Sequence, residues 1–220
     1  VYSTNYVNPP IPEGYKHVWG EWNNGFVIER CSDGRQYVWI PVGSIDSYGT
    51  LDGEHISEKF GRRNYMNDEF SDDEFNEVLN GELLEQLESV KKYGGFYISR
   101  YNISKSSAGK PQSVKGVMPW VNINFYDAKK VASTIEDNEA VKSHLTFGAE
   151  YDSVLEWFFI YDFAGNVDEW TQEQNESSRR VIRGGNVDYD GNNFPVAGRG
   201  YYRPNFFYND TGFRATLYIK

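Results

Sequence analysis

Along this chain the apolar positions change period several times, and each change predicts an element. In "GFVIERCSDGRQYVWIPVG", two β-rich runs, Gly25 to Glu29 and Gln36 to Val42, flank Asp33-Gly34. That pattern predicts a hairpin with its turn at Asp33-Gly34 and one buried sheet face. Between Asn64 and Val90 the period lengthens, and Phe75, Leu79, Leu83 and Leu87 recur at helical spacing among nine acidic residues and no basic one. This predicts an acidic helical insertion at about residues 64–92 with a solvated charged face, which Asn80-Gly81 would divide into two pieces. The run "DEFSDDEF" has neither the alternating Asp spacing nor the central Gly of a calcium loop, so it reads as helix surface.

"GGFYISRYNIS", from Gly94 to Ser104, is the next strand signal. "NFYDAKKVASTI" then opens a helix, with Asn124 placed to cap it and Asp127 in the first turn, where a negative charge suits the helix dipole. A second helix is expected from about Phe147 to Phe159, capped by Thr146, with Tyr151, Leu155, Phe158 and Phe159 facing inward. Beyond Asp162 the chain becomes glycine-rich and irregular. With no internal repeat and no linker, residues 1–220 read as one α+β domain.

A chain of 220 residues can bury a core without disulfide staples. Its net charge of -10, from 22 basic and 32 acidic residues, argues against nucleic acid or an anionic membrane as partner. No apolar run reaches the 18 residues that a membrane helix needs, so no membrane insertion is expected. The single cysteine, Cys31, has no internal partner for a disulfide. Aromatic residues are plentiful, and 17 Tyr against 14 Phe suggests many rings with one wet end.

The motifs "MPWVNINFYDAKKVA", "SHLTFGAEYDSVLEWF", "FAGNVDEWT", "RVIRGGN" and "GFRATL" lie in this order from Met118 to Leu217. Together they make the chain, over roughly Val38 to Ile219, resemble the sulfatase-modifying, formylglycine-generating branch of the C-type lectin fold. The resemblance implies two helices, small antiparallel sheets and much irregular loop. It also implies a calcium at "GNVDEW", held by the carbonyls of Ala164, Gly165 and Val167 and by the Glu169 carboxylate; otherwise Glu169 pairs locally. No cofactor beyond that structural calcium is required. Gly165, Gly184, Gly185 and Gly212 read as sites of positive φ or close approach, Trp170 and Phe213 as core rings, and Arg183 and Arg214 as buried cations paired with carboxylates.

Enzymatic members of the resembled family use two cysteines between "RGG" and "GFR", or iron held by three histidines. This chain has only Cys31, in the expected hairpin turn, and its histidines, His17, His55 and His144, are scattered without helical spacing. A non-enzymatic reading follows.

The segment from Asn186 to Asp210 supplies a different chemistry. Fifteen of its twenty-five residues are Asn, Tyr, Asp or Phe, and it contains no Lys, Glu, Gln, Met or Trp, although these make up 42 of the 220 residues. Those five types have codons ending only in purines, whereas Asn, Tyr, Asp, Phe, Gly and Val are reachable from an AAC-type codon by changing adenines alone. The pattern is similar to that of the variable proteins of diversity-generating retroelements, whose C-terminal adenine positions are rewritten. That resemblance marks Asn186, Val187, Asp188, Tyr189, Asp190, Asn192, Asn193, Phe194, Gly198, Gly200, Tyr201, Tyr202, Asn205, Phe206, Phe207, Tyr208 and Asp210 as ligand-binding positions. Pro195, Arg199, Arg203, Pro204 and Gly212 are left as framework. The expected partner is a protein or other ligand at a virion or bacterial cell surface, bound through aromatic anchors and amide hydrogen bonds. A carbohydrate-binding module and a divergent oxidase of the formylglycine family are the alternatives.

Overall fold

A computed structural model of the protein describes residues 8–42, 73–157, 163–174, 179–188 and 194–220. Among these the strands and helices follow as β1 (Tyr15–Trp19), β2 (Val27–Arg30), β3 (Gln36–Pro41), α1 (Asp73–Tyr93), β4 (Gly95–Ser99), β5 (Ser104–Lys105), β6 (Pro111–Gln112) and α2 (Phe125–Ser133). They continue with β7 (Val141–Leu145), α3 (Gly148–Trp157), β8 (Asp168–Gln174), β9 (Arg180–Arg183), β10 (Gly200–Tyr202), β11 (Thr211–Phe213) and β12 (Ala215–Ile219). The architecture is α+β and mostly antiparallel.

The hairpin forms between β2 and β3, with Val27 opposite Val38 and Ile28 opposite Tyr37. Gly34 turns it at φ 76°, a conformation that a Cβ would strain. A larger sheet grows on that hairpin in the order β1-β2-β3-β4-β12-β7. Its two inner strands correct the expectation of one buried face, because both faces of β3 and β4 are covered. Val38, Ile40, Phe96 and Ile98 pack with Val90 of α1 and with Tyr151, Val154 and Leu155 of α3. On the other face Tyr37, Trp39 and Tyr97 cluster with Tyr15, Leu217 and Ile219.

Helix α1 is continuous from Asp73 to Tyr93, so Asn80-Gly81 does not divide it. A glycine inside a helix costs about 1 kcal/mol relative to alanine, and burial of Leu83 and Val90 offsets that. The expected start at Asn64 lies outside the described residues. The acidic face is not uniformly solvated either. Glu82 is buried, its carboxylate accepting from Lys129 Nζ and Gln172 Nε2, each at 3.1 Å, which ties α1 to α2 and β8. Glu85 stays exposed and pairs with Lys142.

Helix α2 begins as the sequence implies, with Asn124 Oδ1 accepting from the Asp127 amide at 2.8 Å. At the start of α3 the Thr146 hydroxyl donates to the Arg214 carbonyl, and Glu150 reaches back to accept from the Phe147 amide at 2.8 Å. A glutamate in the third helical position commonly satisfies the amide just before the helix. The described helix ends at Trp157, and Phe158 and Phe159 lie outside the described residues.

The smaller sheet, β10-β9-β8-β11, carries the C-terminal segment. Its β8 and β11 run parallel, with Glu169 opposite Gly212 and Trp170 opposite Phe213. Trp170, Ile182 and Phe213 join Phe125 and Ala128 of α2 in a third apolar cluster.

Close approach between β3 and β4 supplies a test of this packing. A Cβ on Gly95 would stand 2.3 Å from the Ile40 carbonyl oxygen and 2.6 Å from the Trp39 ring. Gly95→Ala is expected to lower unfolding free energy by about 1–3 kcal/mol or more, measured by urea denaturation; an unchanged midpoint would show that the two strands can separate without cost.

Candidate ligand-binding face

The segment after β9 leaves the sheet through two glycines in left-handed conformation, Gly184 at φ 95° and Gly185 at φ 70°. At Gly184 a Cβ would also meet the Tyr151 hydroxyl at 2.9 Å, so no side chain fits there. The chain then returns as β10, in which Tyr201 lies opposite Val181 and Tyr202 opposite Arg180.

Arg199 fixes the approach to β10. Its Nη2 donates to both oxygens of Asp152, at 3.0 and 2.8 Å, and its Nε donates to Glu173 at 3.1 Å. Asp152 also accepts from Arg183 Nη2 at 2.8 Å, so one buried carboxylate holds a cation from each side of the segment. Such pairs fix geometry because removing either member strands a charge in low dielectric.

From Arg203 to Asp210 the backbone is tied to the framework by its carbonyls. The Pro204 oxygen accepts from the Phe125 amide at 3.0 Å, the Tyr208 oxygen from the Asn122 amide at 2.8 Å, and the Asp210 oxygen from the Asp168 amide at 2.9 Å. Tyr202 and Tyr208 stack at 3.9 Å with 11° between their planes, and both meet the Trp170 ring edge-on, at 6.2 and 6.0 Å. Trp170 is held in turn by its indole N–H donating to the Ile123 carbonyl.

These ties divide the seventeen sequence-predicted positions. Val187 is 75% exposed, Phe207 59%, and Tyr201 and Phe206 48% each, while Asp188 and Asn205 are also exposed. Of these, Tyr201 and Phe206 line one cleft with the half-buried stacked tyrosines. Tyr189, Asp190, Asn192 and Asn193 lie outside the described residues. The rest are held within the framework. Asn186 is buried, its amide donating to Asp168 at 2.8 Å and to Asp210 at 3.1 Å, and its Oδ1 accepting from the Asp188 amide. Asp210 is consumed by that clamp and by Thr211. Phe194 is half-buried against three glycines: a Cβ at Gly185 or Gly200 would come within 3.2 Å of its atoms, and one at Gly198 would meet the Pro195 oxygen at 2.8 Å. A Cβ at Gly200 would also meet Ile182 at 3.0 Å, so the ring and its neighbours leave little side-chain space there.

Two arginines stand beside these rings. Arg203, expected as framework, is exposed with its guanidinium 5.6 Å from the Phe206 ring centroid. Arg179 sits 5.5 Å over Tyr201. With Tyr202 and Tyr208 they line an open cleft of about 270 Å³. Its position one residue before β9 was the only signal available for Arg179.

At the turn implied for calcium the Glu169 carboxylate is already paired within the protein. Glu169 Oε1 accepts from Arg214 Nε at 2.8 Å and from Asn102 Nδ2 at 2.6 Å. Gly165 uses its amide to reach the Gly184 carbonyl, and Ala164 and Gly165 are exposed. A cation at that turn would have to share its one carboxylate with a guanidinium. Among the described residues no group of three or more His, Cys, Asp or Glu is placed to hold a metal. Cys31 is exposed, and His144 is spent on Glu150 at 2.9 Å.

No family model matches the chain, and no curated protein matches it either. Among solved structures it is similar to Treponema denticola variable protein 1, with 15% sequence identity and a TM-score of 0.40, over 56% of this chain and 84% of that one.

Asp168 gives the clamp a pH signature. Burial, reinforced by the nearby Asp210 charge, pushes its carboxyl up from 3.8 to about 7 against the hydrogen bond from Asn186. A carboxyl raised in the folded state favours folding below the unfolded pKa and loses that contribution as pH rises through about 7. Asp168→Asn is therefore expected to melt progressively higher relative to the natural protein as pH goes from 5 to 8. A constant difference in Tm across that range would refute the shift.

Proposed function

We propose that this protein is a non-enzymatic recognition protein of the diversity-generating retroelement type, built on a C-type-lectin-like scaffold. Its aromatic and amide-rich C-terminal face binds a protein ligand at a virion or bacterial cell surface. One observation carries the reading: Tyr201, Phe206 and Phe207 project into solvent from a backbone whose carbonyls are anchored to buried structure. Large exposed rings are unfavourable unless a partner covers them, and rings with few rotatable bonds lose little entropy when covered. The codon-compatible composition of the same segment supports the retroelement origin.

Chemistry on the described face points the same way. It carries no cysteine, Asp210 is engaged by Asn186 and Thr211, and its arginines lie beside rings, an arrangement suited to binding. A free glycan is the weaker reading, favoured only by the size of the 270 Å³ cleft, which suits a single sugar ring.

Two outcomes are expected. Replacing Tyr201, Phe206 and Phe207 together by alanine should change unfolding free energy by no more than about 1.5 kcal/mol, about 0.5 for each surface site, whereas Tyr208→Ala alone should cost more because it removes the ring on which Tyr202 stacks and an edge contact to Trp170. A triple variant that fails to fold would mean the rings are structural. In genes from several isolates, substitutions should gather at adenine positions between Asn186 and Asp210 and spare the codons of Gly184, Gly185 and Arg199; even scatter along the gene would remove the retroelement assignment.

A further inference from the structure

The protein carries a net charge of -10, yet the cleft in its candidate face is lined by two arginines and four aromatic rings, with no carboxylate among them. Asp210, which touches the lining through the Tyr202 hydroxyl, is engaged by Asn186 and Thr211. Arg203 projects from an exposed position with its guanidinium 5.6 Å from the Phe206 ring centroid, and no described acid forms an ion pair with it. Arg179 covers Tyr201 from the other wall. In a chain this acidic, an exposed arginine with no described acid paired to it is a departure from the average surface. It attracts what the rest of the surface repels.

From this juxtaposition we propose that the cleft between Arg179 and Arg203 binds an acidic side chain, Asp or Glu, of a protein ligand, with neighbouring apolar residues of that ligand covering Phe206 and Phe207. The inference rests on the recognition role proposed above and names the chemistry of the partner. The position of Arg203 supports it. An exposed guanidinium resting beside a ring can donate two parallel hydrogen bonds to a carboxylate. A space of about 270 Å³ is ample for one acidic side chain. Flanking rings exclude water from the pair and so strengthen it. Arg203 is thus a specificity-determining residue within a face whose rings supply area.

The test uses the whole protein and a phage-displayed library of random twelve-residue peptides selected on it. Peptides enriched over a control without the protein should carry Asp or Glu next to aromatic or aliphatic residues. Their binding should weaken at least about tenfold in Arg203→Ala, since a charge-assisted hydrogen bond is worth about 1.5–3 kcal/mol, and should weaken with added salt. Arg203→Glu should reject these peptides and accept copies in which the acid is changed to Lys. Because Arg203 is exposed, both variants are expected to keep the natural Tm, which is measured alongside. Neutral peptides that bind through Phe206 and Phe207, and lose affinity in Phe207→Ala but not in Arg203→Ala, would overturn the inference while leaving the recognition role intact. Peptides indifferent to all three substitutions would overturn both. Displacement of the acidic peptides by glucuronate at equal concentration, or failure of any peptide to enrich, would also sink the assignment of a protein acid.

Discussion

Asp152 is the point on which the C-terminal face depends. It stands on α3, buried in the main core, and accepts from Arg183 before the irregular segment and from Arg199 after it. Glu173 of β8 adds a second carboxylate to Arg199. The segment between the two arginines is therefore a loop closed electrostatically at its neck. Asp152→Asn would keep the shape and remove the charge, leaving two guanidinium groups facing a neutral amide in low dielectric. That single change threatens the neck more than any change on the rim.

A second clamp operates by different physics. Trp170 offers its face to the edges of two stacked tyrosines, and Asn186 bridges Asp168 to Asp210 beneath them. The first clamp is ionic and the second is aromatic and amide-based, so the two halves of the segment are held independently. Between them, carbonyls of Pro204 and Tyr208 bond to amides at and before the start of α2. Anchoring through carbonyls leaves side-chain identity unconstrained, because every residue type has one. A face held in this way tolerates replacement of its side chains far better than a face held by its own side-chain packing.

How much of this was legible in the sequence depends on the kind of signal. The β2–β3 hairpin and the start of α2 followed from alternation, Asp33-Gly34 and the Asn124 cap, since these act over a few residues. The continuity of α1 through Gly81 did not, because a local breaker was outweighed by packing against distant β4 and β12. At the start of α3, Glu150 accepts from the Phe147 amide, a contact that the Thr146 cap signal does not foretell. In the candidate face, composition identified the segment but could not sort its residues. Asn186 and Asn205 look alike in sequence, and only the proximity of Asp168 and Asp210 turns the first inward. Gly198 and Gly200 read as ligand-binding positions, whereas the Pro195 carbonyl and the Ile182 side chain stand where their side chains would go.

Arg203 shows why composition misleads about charge. A lone cation within an aromatic and amide-rich run reads as a strut, by analogy with Arg199 four residues earlier. Struts need a buried carboxylate within reach, and Arg199 has two. For Arg203 the turn in which the Phe206 amide donates to the Arg203 carbonyl at 3.2 Å places the side chain against the Phe206 ring, on the solvent side of the segment. Stacking then holds the guanidinium where a strut would have withdrawn it. The same residue type thus closes the neck at one position and arms the rim at the other, and the difference lies entirely in which acids the fold brings near.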